Sequence, residues 1–515
     1  MYSALKQKPL FFQINNPWIV ETILIGTIIA IFLILGLWNI QGELPFNAKP
    51  DEEIFVNNAA IMAATGDYNP HWFGNPGSTV IYPLAGIYKL KNSAASPLAP
   101  SDFYLFGRFL SLFYAVLTIP LVYSIGASIY GKKVGFVAAW FMSFYPIFIT
   151  HSQIVRTDTA GTFFYYLSIW LMLRLRNSPT IKNYLLTGAA IGLATVSRYF
   201  MAILLVLLIV HQLIYFNGRD ARSWRKTIIG ILSAILVFAI TTPYFFIDFH
   251  TSLKNLAAEA RGLHPGADGL SQIGNFFWYV FKAIPWSISW PQSILAIVGI
   301  WLTLRRRDKA QILLLSFLTI YLIGISALSL HWQRWIIPLL PGLALLAAYA
   351  LITLAEYLLA YLRVQTNTRW LWILSIVILI TLPLLQDILV IKKMETKKSN
   401  LLQAQEWIQN SLLSQHLKTS KNASFKTLYF MLDPKADIDR YKERGYRYII
   451  VNDNIRQIAE ATPERYPVLL VFYKDLDARG LLINTFDEKI TCPLSFGAPF
   501  CNSPNIKIYD LLSTK

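Results

Sequence analysis

The chain has 515 residues, of which 55% are hydrophobic and only 15% are charged, and its mean hydropathy is +0.44. Because an average soluble domain has roughly 25% charged residues, this composition indicates a membrane protein. The formal net charge of +17 alone would suggest a nucleic-acid partner. However, many of the basic residues gather in short connectors between apolar runs, as in cytoplasmic loops of membrane proteins, so we predict no nucleic-acid partner.

The first apolar run, residues 19–40, is long enough to cross a bilayer core, which needs about 20 helical residues. No small-residue cleavage site of the usual kind flanks it, so we interpret it as a retained span and not as a signal peptide. With this run, the sequence predicts about eleven spans. The further runs are 103–130, 134–150, 159–173, 183–197, 199–216, 227–247, 286–303, 310–328, 335–358 and 370–390.

Basic clusters occupy every second connector between these runs, which predicts the orientation. Such clusters mark cytoplasmic loops, and an odd number of spans that starts inside ends outside. We therefore expect a multi-pass protein of the inner membrane, with a cytoplasmic N-terminus and an extracytoplasmic C-terminal domain. The clusters are Lys132 and Lys133; Arg174, Arg176 and Lys182; Arg219, Arg222, Arg225 and Lys226; Arg305, Arg306, Arg307 and Lys309; Arg363 and Arg369.

Two parts are predicted: a membrane domain over residues 1–390, with long external loops at 41–102 and 248–285, and a small soluble α/β domain over 391–515. The second part is polar, and "TLYFML", "YRYIIV" and "PVLLVFY" are typical of strands. Its two cysteines, Cys492 and Cys501, form a disulfide if this part faces an oxidising compartment. Two unpaired thiols are the alternative.

Two groups of acids are candidates for chemistry. Asp51, Glu52 and Glu53 follow a proline in the first external loop, where a carboxylate can take a proton from a hydroxyl nucleophile. The alternative is an ordinary helix start, with acids near the positive end of the helix dipole. Asp158 lies at an external turn, where an ionisable group often faces a cavity. A local pair with Arg156 is its alternative interpretation.

Arginine side chains predicted on the external side indicate which ligand binds near these acids. Arg108, Arg198 and Arg334 fall at similar predicted depths, and arginine binds phosphate oxygens with planar, permanently charged donors. Each alone is equally explained as an arginine that reaches the membrane interface. His264 and His331 are further polar candidates, or loop residues without a task. Scattered histidines are a weak metal signature, so we predict no tightly held metal, although a divalent cation stays possible.

Several segments resemble the polytopic glycosyltransferases of the C-type fold, the group of protein O-mannosyltransferases and lipid A aminoarabinose transferases. The first external loop, "KPDEEIFVNNAAIMAATGDYNPHWFGNPGSTVIYP", and the segment "GRFLSLFYAVLTIPLVYS…THSQIVRTDTAGTFF" are similar to family motifs. "LLTGAAIGLATVSRYFMAILL", "GLHPGADG", "QRWIIPLLPGLALLAA" and "AQEWIQNSL" resemble later family segments.

The resemblance implies a C-type fold and transfer of a sugar, with inversion, from a polyprenyl-phosphate donor to a hydroxyl acceptor on the non-cytoplasmic face. Asp51 is then the base, Glu52 helps to position the acceptor, and Asp158 lines the same cavity. Arg108 holds the lipid phosphate. The other implied donor-binding residues are Arg198, His264, Arg334 and, in the "P…YP" segment, Tyr82.

The physical reading agrees with this resemblance. A polyprenyl phosphate leaves with its own negative charge, so fixed cations suffice for the leaving group, whereas the attacking hydroxyl must lose a proton. The identity of the sugar stays open, as does the choice of a glycan, a lipid or a protein as acceptor. A polytopic transporter or lipid flippase is the alternative function, although the sequence has no internal repeat of the kind common in transporters.

Overall fold

A computed structural model of the chain describes residues 17–44, 49, 51–92, 97–216, 220–259, 269–328, 330–366, 368–413, 425–428, 435–464, 466–488 and 505–512. The predicted candidates His264, Cys492 and Cys501 lie outside these residues.

Long apolar helices form the amino-terminal part of the fold. In chain order they are α1 (Pro17–Leu37), α2 (Glu52–Thr65), α3 (Ser78–Lys91), α4 (Pro100–Ile129), α5 (Lys132–Ser143), α6 (Pro146–Ser152), α7 (Asp158–Leu175), α8 (Ile181–Ser197), α9 (Leu204–Tyr215) and α10 (Ala221–Thr241). The predicted external loop 41–102 thus contains two helices, α2 and α3. A 3-10 turn, Tyr199–Ile203, joins α8 to α9.

Shorter and broken helices follow before the last membrane helices. They are α11 (Pro243–Ile247), α12 (Phe249–Glu259), α13 (Gln272–Trp278), α14 (Ile284–Ile288), α15 (Trp290–Arg306), α16 (Lys309–Ser326), α17 (Leu340–Tyr361) and α18 (Arg369–Glu395). A π-helical stretch, Tyr279–Ala283, joins α13 to α14, and a 3-10 segment, Gln333–Leu339, leads into α17.

The prediction of a polytopic helical protein agrees with this architecture, but the count of eleven spans is not confirmed. Among the described residues, six helices are long and apolar enough to cross a membrane, or up to eight if each bent helix pair is one span. Two predicted spans are broken: the chain bends by 64° between α5 and α6 and by 120° between α14 and α15. The second bend follows Ser289, whose backbone has a φ of 71°, unusual for a residue other than glycine.

Helix α17 and the 3-10 segment before it form the centre of the bundle, because 94% of the most apolar stretch within Gln333–Tyr361 is buried. Its small residues, such as Ala344, Ala347 and Ala348, are fully buried and permit close approach by neighbouring helices. A Cβ on Gly299 of α15, for example, would lie 2.2 Å from the Leu346 carbonyl oxygen. This close packing fixes the positions of the helix ends, and these ends carry the residues of the site.

Helices α8 and α10 pack still more closely, which yields a testable prediction. A Cβ on Gly188 would lie 2.0 Å from the Gly230 carbonyl oxygen, and backbone cannot move aside as a flexible side chain can. We expect Gly188→Ala to lower the thermal unfolding midpoint in detergent, since overpacking typically costs about 1–3 kcal/mol. Gly26→Ala on α1 is the control, because nothing lies within 4 Å of its Cβ position. Equal midpoints for the two variants would contradict the close packing.

The carboxyl-terminal part combines helices with one mixed sheet. Its helices are α19 (Asn400–Trp407), continued by a π-helical stretch (Ile408–Leu413), α20 (Ile438–Glu443), α21 (Asp453–Ala461) and α22 (Pro467–Arg479). Its strands are β1 (Phe425–Leu428), β2 (Tyr448–Asn452), β3 (Leu481–Phe486) and β4 (Ile506–Asp510). The strand order is β1-β2-β4-β3; β1 and β2 are parallel, and β4 runs antiparallel to both β2 and β3.

Strand β2 is buried on both faces, and its alternating side chains enter two different cores. Ile449 and Val451 pack in the core with α20, α21 and α22, whereas Tyr448 and Ile450 pack in the core with α19. The sheet is therefore covered by helices on both sides.

The interpretation of "PVLLVFY" as a strand was wrong, because this segment begins helix α22. Proline at the first helical position has a suitable φ, and Leu469, Phe472, Tyr473 and Leu476 repeat at helical spacing on the buried face. Strands β3 and β4, which the sequence analysis missed, complete the sheet.

Candidate active site

The predicted acids and arginines come from four separated segments. Asp51 immediately precedes α2, Asp158 is the first residue of α7, and Arg198 follows α8. Arg334 lies in the 3-10 segment before α17. The structure brings these four side chains together with Arg156, and we call these five residues the carboxylate–arginine cluster.

Two arginines face the Asp51 carboxylate. Arg156 donates a hydrogen bond to Asp51 Oδ2, and Arg334 NH2 lies 3.7 Å from the same oxygen. The Asp51 side chain remains 43% exposed, whereas the Arg156 side chain is 8% exposed. Asp51 is therefore the carboxylate of the cluster that a substrate can reach.

Neighbouring charges keep Asp51 ionised. Burial opposes the charged form, but the guanidinium groups of Arg156 and Arg334 outweigh it and hold the pKa of Asp51 below its usual value. Asp51 also has a left-handed backbone, with a φ of 69°, which Asp and Asn tolerate better than most residues. This conformation places its carboxylate at the start of α2.

Asp158 has a different environment from Asp51. Its side chain is only 1% exposed, and Arg198 NH1 donates to its Oδ1 over 2.6 Å. Its other oxygen lies 3.6 Å from His151 Nδ1 and 4.0 Å from Arg156 Nε. The local pair of Arg156 with Asp158 is thus loose, and the closer partner of Arg156 is Asp51.

The cluster contains more positive than negative charge. Three guanidinium groups face two carboxylates, which leaves one positive charge unbalanced when His151 is neutral. Arg334 contributes most directly to this excess, because its buried Nε has no hydrogen-bond partner among the described residues. The site therefore has an unbalanced positive charge, and the partly exposed Arg334 side chain makes part of it accessible to an anion.

Glu52 and Arg108 form a separate, closed ion pair that differs from the predicted roles. Arg108 Nε and NH2 donate to the two Glu52 oxygens over 2.9 and 2.8 Å, and both side chains are 0% exposed. Arg108 NH1 also donates to the carbonyl oxygens of Ile40 and Gly42. Since its donors are used within the protein, the structure favours a positioning role for this pair over contact with phosphate or acceptor.

Tyr82 lies apart from the cluster. It is on α3, and its hydroxyl donates to the Tyr68 carbonyl oxygen over 3.3 Å. Burial raises its pKa to about 12, so it stays protonated. Its described contacts give no support for the predicted donor-binding role.

The structure adds two residues that the sequence analysis did not assign to the site. The sequence indicated Arg156 only as a local partner for Asp158, although it bonds Asp51, and it gave no role to His151. Both lie in or beside the "THSQIVRTD" motif, which was the available signal. Among the described residues, no group of three or more His, Cys, Asp and Glu side chains is placed to hold a metal ion. The absence of a resident metal stays a prediction.

Comparisons with known proteins agree with the resemblance found in the motifs. Residues 105–246 match the family model described as dolichyl-phosphate-mannose-protein mannosyltransferase. A search of curated proteins finds no match.

Solved structures show the same fold at low sequence identity. ArnT from Cupriavidus metallidurans bound to undecaprenyl phosphate is 13% identical, with a TM-score of 0.53 over 96% of this chain and 98% of that chain. The archaeal oligosaccharyltransferase AglB from Archaeoglobus fulgidus, in complex with an inhibitory peptide and a dolichol-phosphate, is 12% identical, with a TM-score of 0.56 over 92% and 74%. Residues 105–246 are thus similar to a family of membrane mannosyltransferases, and the chain as a whole shares the fold of these solved membrane glycosyltransferases.

Proposed function

We propose that the chain transfers a sugar from a polyprenyl-phosphate donor to a hydroxyl or phosphate acceptor at the extracytoplasmic face of the inner membrane, with inversion. The observation that carries this proposal is the half-exposed Asp51 carboxylate between Arg156 and Arg334, with the unpartnered Nε of Arg334 beside it. A base for the acceptor and donors for a phosphate thus occupy one site. The protein structures bound to undecaprenyl phosphate and dolichol-phosphate share this fold and support the choice of donor.

Arg334 and Arg156 bind the donor phosphate in this mechanism. The leaving polyprenyl phosphate gains negative charge as the glycosidic bond breaks, and fixed guanidinium groups stabilise this charge without supplying a proton. Arg198 remains on Asp158 and keeps that buried carboxylate neutralised. Asp158 therefore orders the arginines, and it does not compete with Asp51 for the acceptor.

Donor binding also makes Asp51 a better base. In the free protein, Arg156 and Arg334 lower the pKa of Asp51 and so weaken its affinity for a proton. A phosphate that shares these two guanidinium groups adds negative charge next to Asp51 and raises its pKa. Its basicity then rises when the donor is in place, which is when the acceptor hydroxyl must lose its proton.

The isoprenoid tail has an apolar path beside Arg334. The Trp332 backbone N–H donates to the Tyr279 hydroxyl over 3.3 Å, which places the broken segment from α13 to α14 next to the 3-10 segment. This broken segment exposes large apolar side chains, including Phe277 and Phe281. We propose that the tail follows this surface into the bilayer while the phosphate reaches the cluster.

The sugar is identified by mass spectrometry of envelope lipids, glycans and proteins from cells that lack this protein. We expect one hexose, pentose or amino sugar to be missing, and wild-type protein to restore it. Unchanged lipids, glycans and proteins would contradict the proposed transfer.

Arg334→Gln is expected to weaken binding of undecaprenyl phosphate by at least about tenfold, since a hydrogen bond to a charged group contributes about 1.5–3 kcal/mol. Native mass spectrometry or a thermal shift with undecaprenyl phosphate in detergent measures this change. Arg174→Gln is the matched control: Arg174 also lies over a tryptophan ring, 4.7 Å from Trp170 against 4.8 Å for Arg334 and Trp332, but at the carboxyl end of α7. Equal binding by both variants would overturn the phosphate role of Arg334.

A further inference from the structure

Gln153 forms a buried junction between three distant segments. Its side-chain Nε2 donates to the carbonyl oxygens of Gly36 and Trp38 over 2.7 and 2.8 Å, at the end of α1. Its Oε1 accepts from Lys392 Nζ over 2.5 Å, on the last turns of α18. Its backbone oxygen accepts from Lys49 Nζ over 3.3 Å. Gln153 is fully buried, and both polar atoms of its side-chain amide are hydrogen-bonded.

Lys392 is itself tied to its surroundings. Its side chain is 1% exposed, and its ammonium group also bonds Glu395 Oε2 over 2.8 Å. The Glu395 backbone oxygen in turn accepts from Asn39 Nδ2 over 3.0 Å. A buried ammonium is stable only when paired, so Lys392 strongly constrains the position of the Gln153 amide.

The short turn that follows Gln153 also makes two contacts with Asp51 and Glu52, at the start of α2. Two residues after Gln153, the Val155 backbone N–H donates to Glu52 Oε1 over 2.9 Å, and the next residue, Arg156, bonds Asp51. Gln153 precedes Arg156 by only three residues in the same turn, and consecutive Cα atoms are about 3.8 Å apart. A shift of the backbone at Gln153 therefore also displaces Arg156. Through the Gln153 side chain, this turn is bonded to both α1 and α18.

We propose that Gln153 and Lys392 are positioning residues that hold the turn at residues 153–157 so that Arg156 meets Asp51. This inference rests on the proposed function, because it assigns the two residues a task in the same reaction. It also connects the carboxyl-terminal part to catalysis: α18 supplies Lys392, and α19 follows it within a few residues.

The test compares four variants of the full chain in detergent or nanodiscs. Gln153→Leu and Lys392→Met remove the junction, Lys392→Arg preserves a donor, and Gln212→Leu is the matched control. Gln212 is also a fully buried glutamine with both amide atoms bonded, to Ser223 and Thr227, but it lies near the carboxyl end of α9. Transfer rates are measured with the polyprenyl-phosphate sugar identified as described above.

Gln153→Leu and Lys392→Met are expected to lower kcat by about tenfold to a hundredfold, since small misplacements of catalytic groups have effects of this size. Lys392→Arg restores most of the activity, and Gln212→Leu keeps the wild-type rate. Hydrogen exchange of the peptide that contains residues 153–158 speeds up only in the first two variants. Wild-type kcat in Gln153→Leu would overturn the proposal.

The pH profile separates positioning from general destabilisation. Asp51 faces Arg156 from the turn, Arg334 from the 3-10 segment and Asp158 from α7. On its own helix, Glu52 is bonded to Arg108 and Glu53 is exposed. Displacement of Arg156 removes a cation from Asp51 and raises the pKa of its carboxyl group, so the acidic limb of kcat/KM moves to higher pH. If kcat falls while the acidic limb of kcat/KM stays at its wild-type pH, the role of Gln153 and Lys392 is purely structural and the inference is wrong.

This design distinguishes failure of the inference from failure of the proposed function. A fully active Asp51→Asn variant would refute the function itself. An inactive Asp51→Asn variant combined with normal kcat and pH profile in Gln153→Leu would refute only the positioning role.

Discussion

Asp51→Asn is expected to reduce sugar transfer by at least about a hundredfold, because a positioned general base contributes about 10²–10⁴-fold. Asparagine has nearly the same shape as aspartate but cannot accept the acceptor's proton. It also tolerates the left-handed backbone that residue 51 adopts, so the start of α2 keeps its geometry. Alanine would add backbone strain at this position and is a poorer choice.

The rate of polyprenyl phosphate release in the presence of acceptor measures this effect. Glu53→Gln is the matched control, since Glu53 lies on the same helix turn and its side chain is exposed. The control keeps wild-type transfer and donor binding. Wild-type transfer by Asp51→Asn would mean that another group takes the proton.

The second large effect concerns the closed pair of Glu52 and Arg108. Arg108→Gln and Glu52→Gln each leave a buried charge without its partner, and breaking such a pair typically costs about 3–5 kcal/mol. We expect both variants to lose yield and to unfold at clearly lower temperature in detergent. Arg108→Gln also frees the carbonyl oxygens of Ile40 and Gly42, so its loss is the larger of the two.

This experiment decides between the predicted phosphate contact and the closed ion pair. A phosphate ligand at Arg108 would give a variant that folds normally but binds undecaprenyl phosphate weakly. A structural pair gives a variant of low stability, and the double variant Glu52→Gln/Arg108→Gln loses less than the sum of the singles. Additive losses would contradict the coupling between the two side chains.

Hydropathy predicted the helical membrane architecture because long apolar runs have few other uses. It did not determine the number of spans, since the breaks at residues 143–146 and at Ser289 depend on backbone geometry and on packing between helices. In the carboxyl-terminal part, "PVLLVFY" has β-prone residues, but its buried positions follow helical spacing once α20, α21 and the sheet are present. Tertiary contacts overrode local propensity there.

The site was partly predictable. Motif resemblance indicated Asp51, Asp158, Arg198 and Arg334, and the structure brings all four together. Which acid meets which arginine was not accessible from the sequence, because the pairs join residues far apart in the chain. Arg156 and Asp158 are close in sequence, yet the start of α7 directs them mainly to different partners. The roles of these residues remain predictions until the variants are measured.

The surplus guanidinium charge has a consequence for turnover. The spent carrier is itself an anion, and its phosphate carries at least as much negative charge toward Arg334 and Arg156 as that of the loaded carrier. We therefore expect the released polyprenyl phosphate to compete with fresh donor. The strength of this inhibition then depends on how fast the used carrier is removed elsewhere in the membrane, which makes that removal a control point for the whole reaction.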